Sequence, residues 1–265
     1  MLIDFHTHAF PEKIAAKAIG SLEASSSTKA AIEGTYPALL ESMERNGVDF
    51  SVVLPIVTRP AQTKSILHFA GELQKITGLI PFGSVHPLSE DVKGDIRAIK
   101  RLGLRGVKFH PDFQDVFLDD IETIRAMSLA AEEDLPIVIH AGEDISYPHV
   151  HHSTPKRLLN VLKELKGATI VCAHTGGWRY WDDVEALLMD QDLYIDTSYT
   201  YGWCQKEQMA RIIRSWDPDK VLFGTDSPWV NQGEAVRQLR ELDLPAALYD
   251  KIFYKNALRL LGMKE

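Results

Sequence analysis

Leu2-Ile3-Asp4-Phe5-His6-Thr7-His8 opens the chain as a short apolar run that ends in two histidines one residue apart. Side chains on a strand alternate faces with a period of two. The spacing therefore predicts a strand with Asp4, His6 and His8 on one face and two imidazoles at its C-terminal end. Seven more runs rich in Val, Ile and Leu follow: Phe50 to Ile56, Leu79 to His86, Leu104 to His110, Pro136 to Ala141, Thr169 to His174, Leu193 to Ser198 and Val221 to Asp226. Helical patterns separate them. Eight strands alternating with helices predict an α/β fold, a single-domain (β/α)8 TIM barrel over residues 1–265.

The helices carry readable ends. Ser89 is expected to cap a helix running towards Gly103, with Glu90 and Asp91 at its positive end and Lys100 and Arg101 at its negative end. Ser153-Thr154-Pro155 opens another, whose Leu158, Leu159, Leu162 and Leu165 share a face and which Gly167 closes. The rhythm breaks at residues 11–35, where the small polar run Ala24-Ser25-Ser26-Ser27-Thr28 precedes the first clear helix. An insertion after a barrel strand lies on the catalytic face, so this segment reads as a lid over the site or as a surface excursion.

Chemistry-bearing residues recur at the C-terminal ends of these runs, where barrel enzymes build their sites. The fifth run ends Val138-Ile139-His140, the sixth Ala173-His174-Thr175-Gly176-Gly177, and the eighth Gly224-Thr225-Asp226-Ser227-Pro228-Trp229. Leu222, Gly224 and Asp226 share the barrel-facing parity. A carboxylate buried there needs a cation or donor beside it. The fourth run places Lys108 and His110 on one face. Imidazoles and carboxylates are the ligands zinc prefers, and a second carboxylate commonly fixes the tautomer of a ligating histidine.

In this order the segments Asp4-Phe5-His6-Thr7-His8, Val107-Lys108-Phe109-His110-Pro111, His140-Ala141-Gly142, Ala173-His174-Thr175-Gly176-Gly177, Gly224-Thr225-Asp226-Ser227-Pro228-Trp229 and Asn256-Ala257-Leu258-Arg259-Leu260 span nearly the whole chain. The constellation resembles the amidohydrolase superfamily, in particular the amidohydrolase-2 branch that includes aminocarboxymuconate-semialdehyde decarboxylase and related metal-dependent hydrolases. The resemblance implies that His6, His8 and His140 ligate one divalent metal, Zn²⁺ or else Mn²⁺. Asp226 then ligates it or takes a proton from its water, and His174 acts as acid, base or orienting group. Zinc-bound water ionises near neutral pH, so the leading expectation is a hydrolase of a small-molecule amide, ester or lactone. The alternative is a non-oxidative decarboxylase of an unsaturated or aromatic acid with the same ligands. A metal-binding barrel without catalysis is a third reading. In other amidohydrolases a carboxylated lysine bridges two metals, so Lys108 is either such a bridge or an ammonium group that binds a substrate carboxylate.

His110, His151, Arg179 and Trp229 complete the expected substrate-binding set, with the histidine-rich loop 147–152 bordering the site. Arg59, Trp178 and Tyr199 are further rim candidates. A formal charge of −8 gives a nucleic-acid backbone no broad basic surface. Neither a leader nor a membrane span is expected, and Cys172 and Cys204 form no CxxC pair, which suits free thiols in a cytoplasmic protein. A small molecule is the expected partner, with a homo-oligomer as the default assembly.

Overall fold

The computed structural model describes residues 1–264. Nine short parallel strands follow one another: β1 (Ile3–Thr7), β2 (Phe50–Val53), β3 (Leu79–Pro81), β4 (Gly83–Ser84), β5 (Val107–Phe109), β6 (Ile137–Ile139), β7 (Ile170–Cys172), β8 (Tyr194–Asp196) and β9 (Val221–Leu222). They form two ladders, β1 to β3 and β4 to β9, each in chain order. Only Phe82 separates β3 from β4. Its amide donates to Val53 O at 2.9 Å while that of Gly83 donates to Gly106 O at 2.8 Å, so the two are halves of one staggered barrel strand. The ring closes where Phe5 N donates to Phe223 O and Asp226 N to His6 O, both at 2.8 Å. The result is the eight-stranded barrel, wrapped by helices.

Strand alternation sorts the side chains. Ile137, Ile139, Ile170, Cys172 and Ile195 belong to the layer between strands and helices. Val138, Val171 and Leu222 point inward, where Ile3, Phe5, Val52, Leu54, Ile80 and Phe82 join them. Ala257, Leu258 and Leu261 of the last helix, Asn256–Leu261, pack against the same cluster, which also takes in Tyr194 at the start of β8. Apolar side chains thus fill the barrel from its N-terminal end and leave the C-terminal end to polar groups.

One alternation fails in an informative way. The pairing of β1 with β2 shifts register between Asp4 and Thr7. Below this bulge Ile3 and Phe5 face inward, so Asp4 points out to the helix Gln232–Arg240 and accepts from Gln232 Nε2 at 2.8 Å. Above it His6 and His8 face in. A bulge re-aims side chains in this way, and it corrects the expectation that Asp4 shares a face with the two histidines. Asp4 instead ties β1 to the segment after β9, accepting from Thr225 Oγ1 at 2.6 Å and Thr225 N at 3.0 Å.

Two local expectations also change. Residues 12–26 form a helix, Glu12–Ser26, that ends at Ser27 in the left-handed region (φ 54°). The sequence hid it because its only buried residue is Ala15, leaving no core-facing stripe to read. The helix Val92–Arg101 is capped by Asp91, whose carboxylate accepts from Gly94 N at 2.9 Å, and Ser89 plays no such part. Thr154 and Pro155 open the helix Pro155–Glu164 as expected. Cys172 and Cys204 are free and buried. Among the described residues no helix is long and apolar enough to cross a membrane.

Replacing Asp4 by Ala leaves the buried Thr225 hydroxyl without its acceptor and Gln232 Nε2 with only Ser51 Oγ at 3.2 Å. Urea unfolding should show a loss of about 1–3 kcal/mol. A midpoint equal to that of the parent would contradict this role for Asp4.

Candidate metal centre

The two inward histidines of β1 meet Asp226 directly. His8 Nε2 lies 3.0 Å and His6 Nε2 3.3 Å from Asp226 Oδ1. The other ring nitrogens are already committed. His6 Nδ1 is 2.8 Å from Asp196 Oδ2 and His8 Nδ1 is 2.7 Å from Leu54 O. Both of these partners only accept, so each Nδ1 carries a proton and each ring turns its Nε2 towards the same carboxylate oxygen. Two ring nitrogens and a carboxylate oxygen thus converge on one point. Such a donor set suits a divalent cation, and one donor atom each from His6, His8 and Asp226 lie within 4.8 Å of one another.

Asp196 is the anchor beneath this group. Fully buried at the end of β8, it accepts from His6 Nδ1, from His174 N at 3.1 Å, and from Ser198 N at 3.0 Å and Oγ. Burial by itself would raise its pKa. The facing His6, its hydrogen bond, His174 and Ser198 outweigh that and hold the carboxyl well below the usual range. Asp226 behaves alike: burial pushes up, but the His8 hydrogen bond and the nearby His6, His8 and His174 keep it ionised. Burial and the neighbouring Lys108 lower His6 to about 4, against the pull of Asp196 and Asp226, so its ring is neutral at physiological pH.

Backbone turns after the strands set these directions. His174 and Asp226 both sit in the left-handed region, at φ 60° and 67°, as does Tyr199 at φ 47°. Such conformations are uncommon for residues with a side chain and concentrate at functional sites. A Cβ on Gly224 would come within 2.9 Å of His6 Cβ, so glycine there makes room for the histidine.

His140, expected as a fourth ligand, stands one step away. Its Nδ1 lies 3.0 Å from His174 Nε2 and its Nε2 3.3 Å from Glu143 O. His174 Nδ1 donates to Ser198 O at 3.0 Å and His140 Nε2 donates to Glu143 O, so in the neutral rings His174 Nε2 and His140 Nδ1 face each other as lone pairs. His140 stacks on His110 with ring centroids 4.0 Å apart, and these two with Asp144 form a second group of converging donor atoms. Burial raises Asp144 to about 7. Lys108 is fully buried, with Nζ 3.4 Å from His6 Nε2, and burial lowers it to about 8 despite Asp196, Asp226 and Asp144.

A cavity of about 90 Å³ opens above these groups, lined by His6, His8, Lys108, His110, His140, His174 and Asp226 and walled by Phe10, Leu22, Ile56, Phe113, Trp178, Tyr199 and Trp229. Residues 11–35 contribute Leu22, Ser26 and Thr28 to its wall. The structure does not bring two expected residues to this wall. His151 packs edge-on against Tyr180, with centroids 5.8 Å apart. Arg179 lies over the Trp178 ring and pairs at 2.9 Å with Glu143, which itself reaches the cavity. Arg59 stays exposed before the turn Pro60–Gln62. Reading the sequence missed Asp196, although a signal was present: a lone carboxylate inside the apolar run 193–198 demands a partner. His152, also in the histidine-rich loop, is buried away from the cavity and bound to Asp112 at 2.9 Å.

The family model described as Amidohydrolase matches residues 3–263. No curated protein matches the chain. Solved structures do. A 5-carboxyvanillate decarboxylase from Sphingomonas paucimobilis is 18% identical with a TM-score of 0.68, covering 100% of this chain and 99% of its own. A dihydroxybenzoic acid decarboxylase from Polaromonas sp. JS666, with bound manganese and the inhibitor 2-nitroresorcinol, is 15% identical with a TM-score of 0.73, covering 98% of this chain and 96% of its own. A probable 2-pyrone-4,6-dicarboxylic acid hydrolase from Acinetobacter baumannii, with citric acid bound, is 14% identical with a TM-score of 0.70, covering 99% of both chains.

If Asp196 orients His6 for a cation, Asp196→Asn should weaken divalent-metal affinity about 10–100-fold while the barrel still folds. Competition against a chromogenic chelator, with circular dichroism as the folding control, reads this directly. Unchanged affinity would remove Asp196 from the site.

Proposed function

The chain belongs to the amidohydrolase family, and from that premise we propose that it is a metal-dependent, non-oxidative decarboxylase of a planar unsaturated or aromatic carboxylic acid. The observation that carries this reading is the make-up of the cavity. Metal donors and a buried ammonium form its floor, and aromatic rings form much of its wall. A carboxylate entering such a site exchanges water for the Lys108 ammonium, while its planar body lies among Phe113, Trp178, Tyr199 and Trp229. The two similar decarboxylases support the choice of reaction.

The donor set fits a divalent ion through His6, His8 and Asp226, with His140 adjoining. When bound, the ion would anchor and polarise an oxygen of the acid. The residues do the rest. As the bond between the carboxyl carbon and its neighbour breaks and CO₂ leaves, the electron pair stays on the substrate carbon and takes up one proton. We assign that proton to Asp226. Its side chain keeps 12% exposure, through which a proton taken from water can pass to the carbon. His174, fixed by Ser198 O, orients His140 beside the reacting carbon and excludes water from that side. Lys108 stays an ammonium group in this reading, which leaves one metal.

Hydrolysis of a lactone or amide with the same donors is the second reading. The similar hydrolase, together with the ionised Asp226 as a base for water, favours it. The two part on products. Incubating the metal-loaded protein with hydroxylated benzoic acids in D₂O should release CO₂ and place one deuterium on the carbon that carried it. Asp226→Asn should slow this about 10²–10⁴-fold, as expected for loss of an acid–base group. Water-dependent ring opening of a lactone, with no CO₂ from any acid tried, would overturn the decarboxylase reading in favour of the hydrolase.

A further inference from the structure

We infer that the metal cavity continues into a second, apolar chamber that binds an alkyl or aryl substituent of the substrate. The chamber encloses about 540 Å³. His8, Phe10, Leu22, Ile56 and Phe113 line both spaces, so a ligand held at the metal donors has its other end at this boundary. The identity of the ligand as an acid rests on the function proposed above, whereas the chamber itself does not.

The helix Glu12–Ser26 gives the strongest argument. Ile14, Ala18 and Leu22 recur every fourth residue and so share one face, yet the core takes only Ala15. All three of these side chains line the chamber instead. Ile66 and Phe69, three apart on the helix Thr63–Leu73, face them from the other side. Apolar side chains left half-buried on two facing helices stabilise the fold little. They do make a surface that gains from covering by an apolar group.

Few polar groups reach the chamber. Gln62 Oε1 is committed, accepting from both the backbone and the hydroxyl of Thr58, at 3.0 Å and 2.9 Å. Besides His8 at the boundary, Lys13 is the one ionisable side chain of the lining. The remainder is mainly apolar and suits an apolar occupant. Its volume lies within the range of small-molecule pockets and suits an alkyl chain of several carbons or a second ring. The substrate class this defines is an acid with a polar head at the metal donors and an apolar tail lying between the two helices.

The test uses n-alkyl hydroxamic acids from acetyl to octanoyl, whose heads chelate divalent metals whatever reaction the site performs. Calorimetric titration of the metal-loaded protein should show affinity rising about fourfold per added methylene, then levelling once the chamber is filled. Ala18→Trp, and separately Ile66→Trp, should flatten that rise and leave acetohydroxamic acid binding as in the parent. A flat series in the unmodified protein overturns the chamber, and so does a rise that neither tryptophan alters. A normal rise with no CO₂ from any acid leaves the chamber standing and removes the decarboxylase reading, so the two failures are distinguishable.

Discussion

The site depends on one buried carboxylate, Asp196, at the end of β8. It fixes the His6 proton on Nδ1 and accepts from the His174 backbone and from Ser198. It therefore sets both the direction in which the His6 lone pair points and the turn that presents the second histidine. A carboxylate in such a place costs several kcal/mol unless its lone pairs are satisfied. The four donors around it meet that demand, and in doing so they tie the ends of β1, β7 and β8 into one arrangement. Asp226 then faces the Nε2 edges of both imidazoles.

The barrel divides labour along its axis. Towards the N-terminal ends of the strands, Val138, Val171 and Leu222 with their neighbours make a packed apolar plug. Towards the C-terminal ends, Lys108, Asp196 and Asp226 gather charge that burial alone would not permit. The bulge in β1 marks the change. Below it the strand serves the core and anchors outward through Asp4, and above it the same strand offers His6 and His8 to the cavity. The candidate site and the core thus share one strand, separated by a single register shift.

Much of this was legible before any coordinates. Eight apolar runs announced the barrel because parallel strands buried on both faces need continuous Val, Ile and Leu. His6, His8 and Asp226 stood out because polar side chains at strand ends have few structural reasons to be there, and the structure brings them together. The sequence could not reveal the bulge, since period-two reasoning assumes an unbroken ladder, and so Asp4 was assigned to the wrong face. The helix Glu12–Ser26 escaped notice because alanines and isoleucines are spread around it, which leaves it with a weak amphipathic signature. His151 and Arg179 were nominated by proximity along the chain. The ring of Tyr180 and the carboxylate of Glu143 hold them outside the cavity wall.

The central claim is that His6, His8 and Asp226 hold one divalent ion while Lys108 remains an ammonium group. It is tested most directly by elemental analysis of protein purified without added metal or chelator, counted per chain. The account predicts close to one tightly held divalent ion. Close to two would contradict it and make Lys108 a bridging ligand, and none, even after incubation with zinc or manganese, would remove the metal centre altogether.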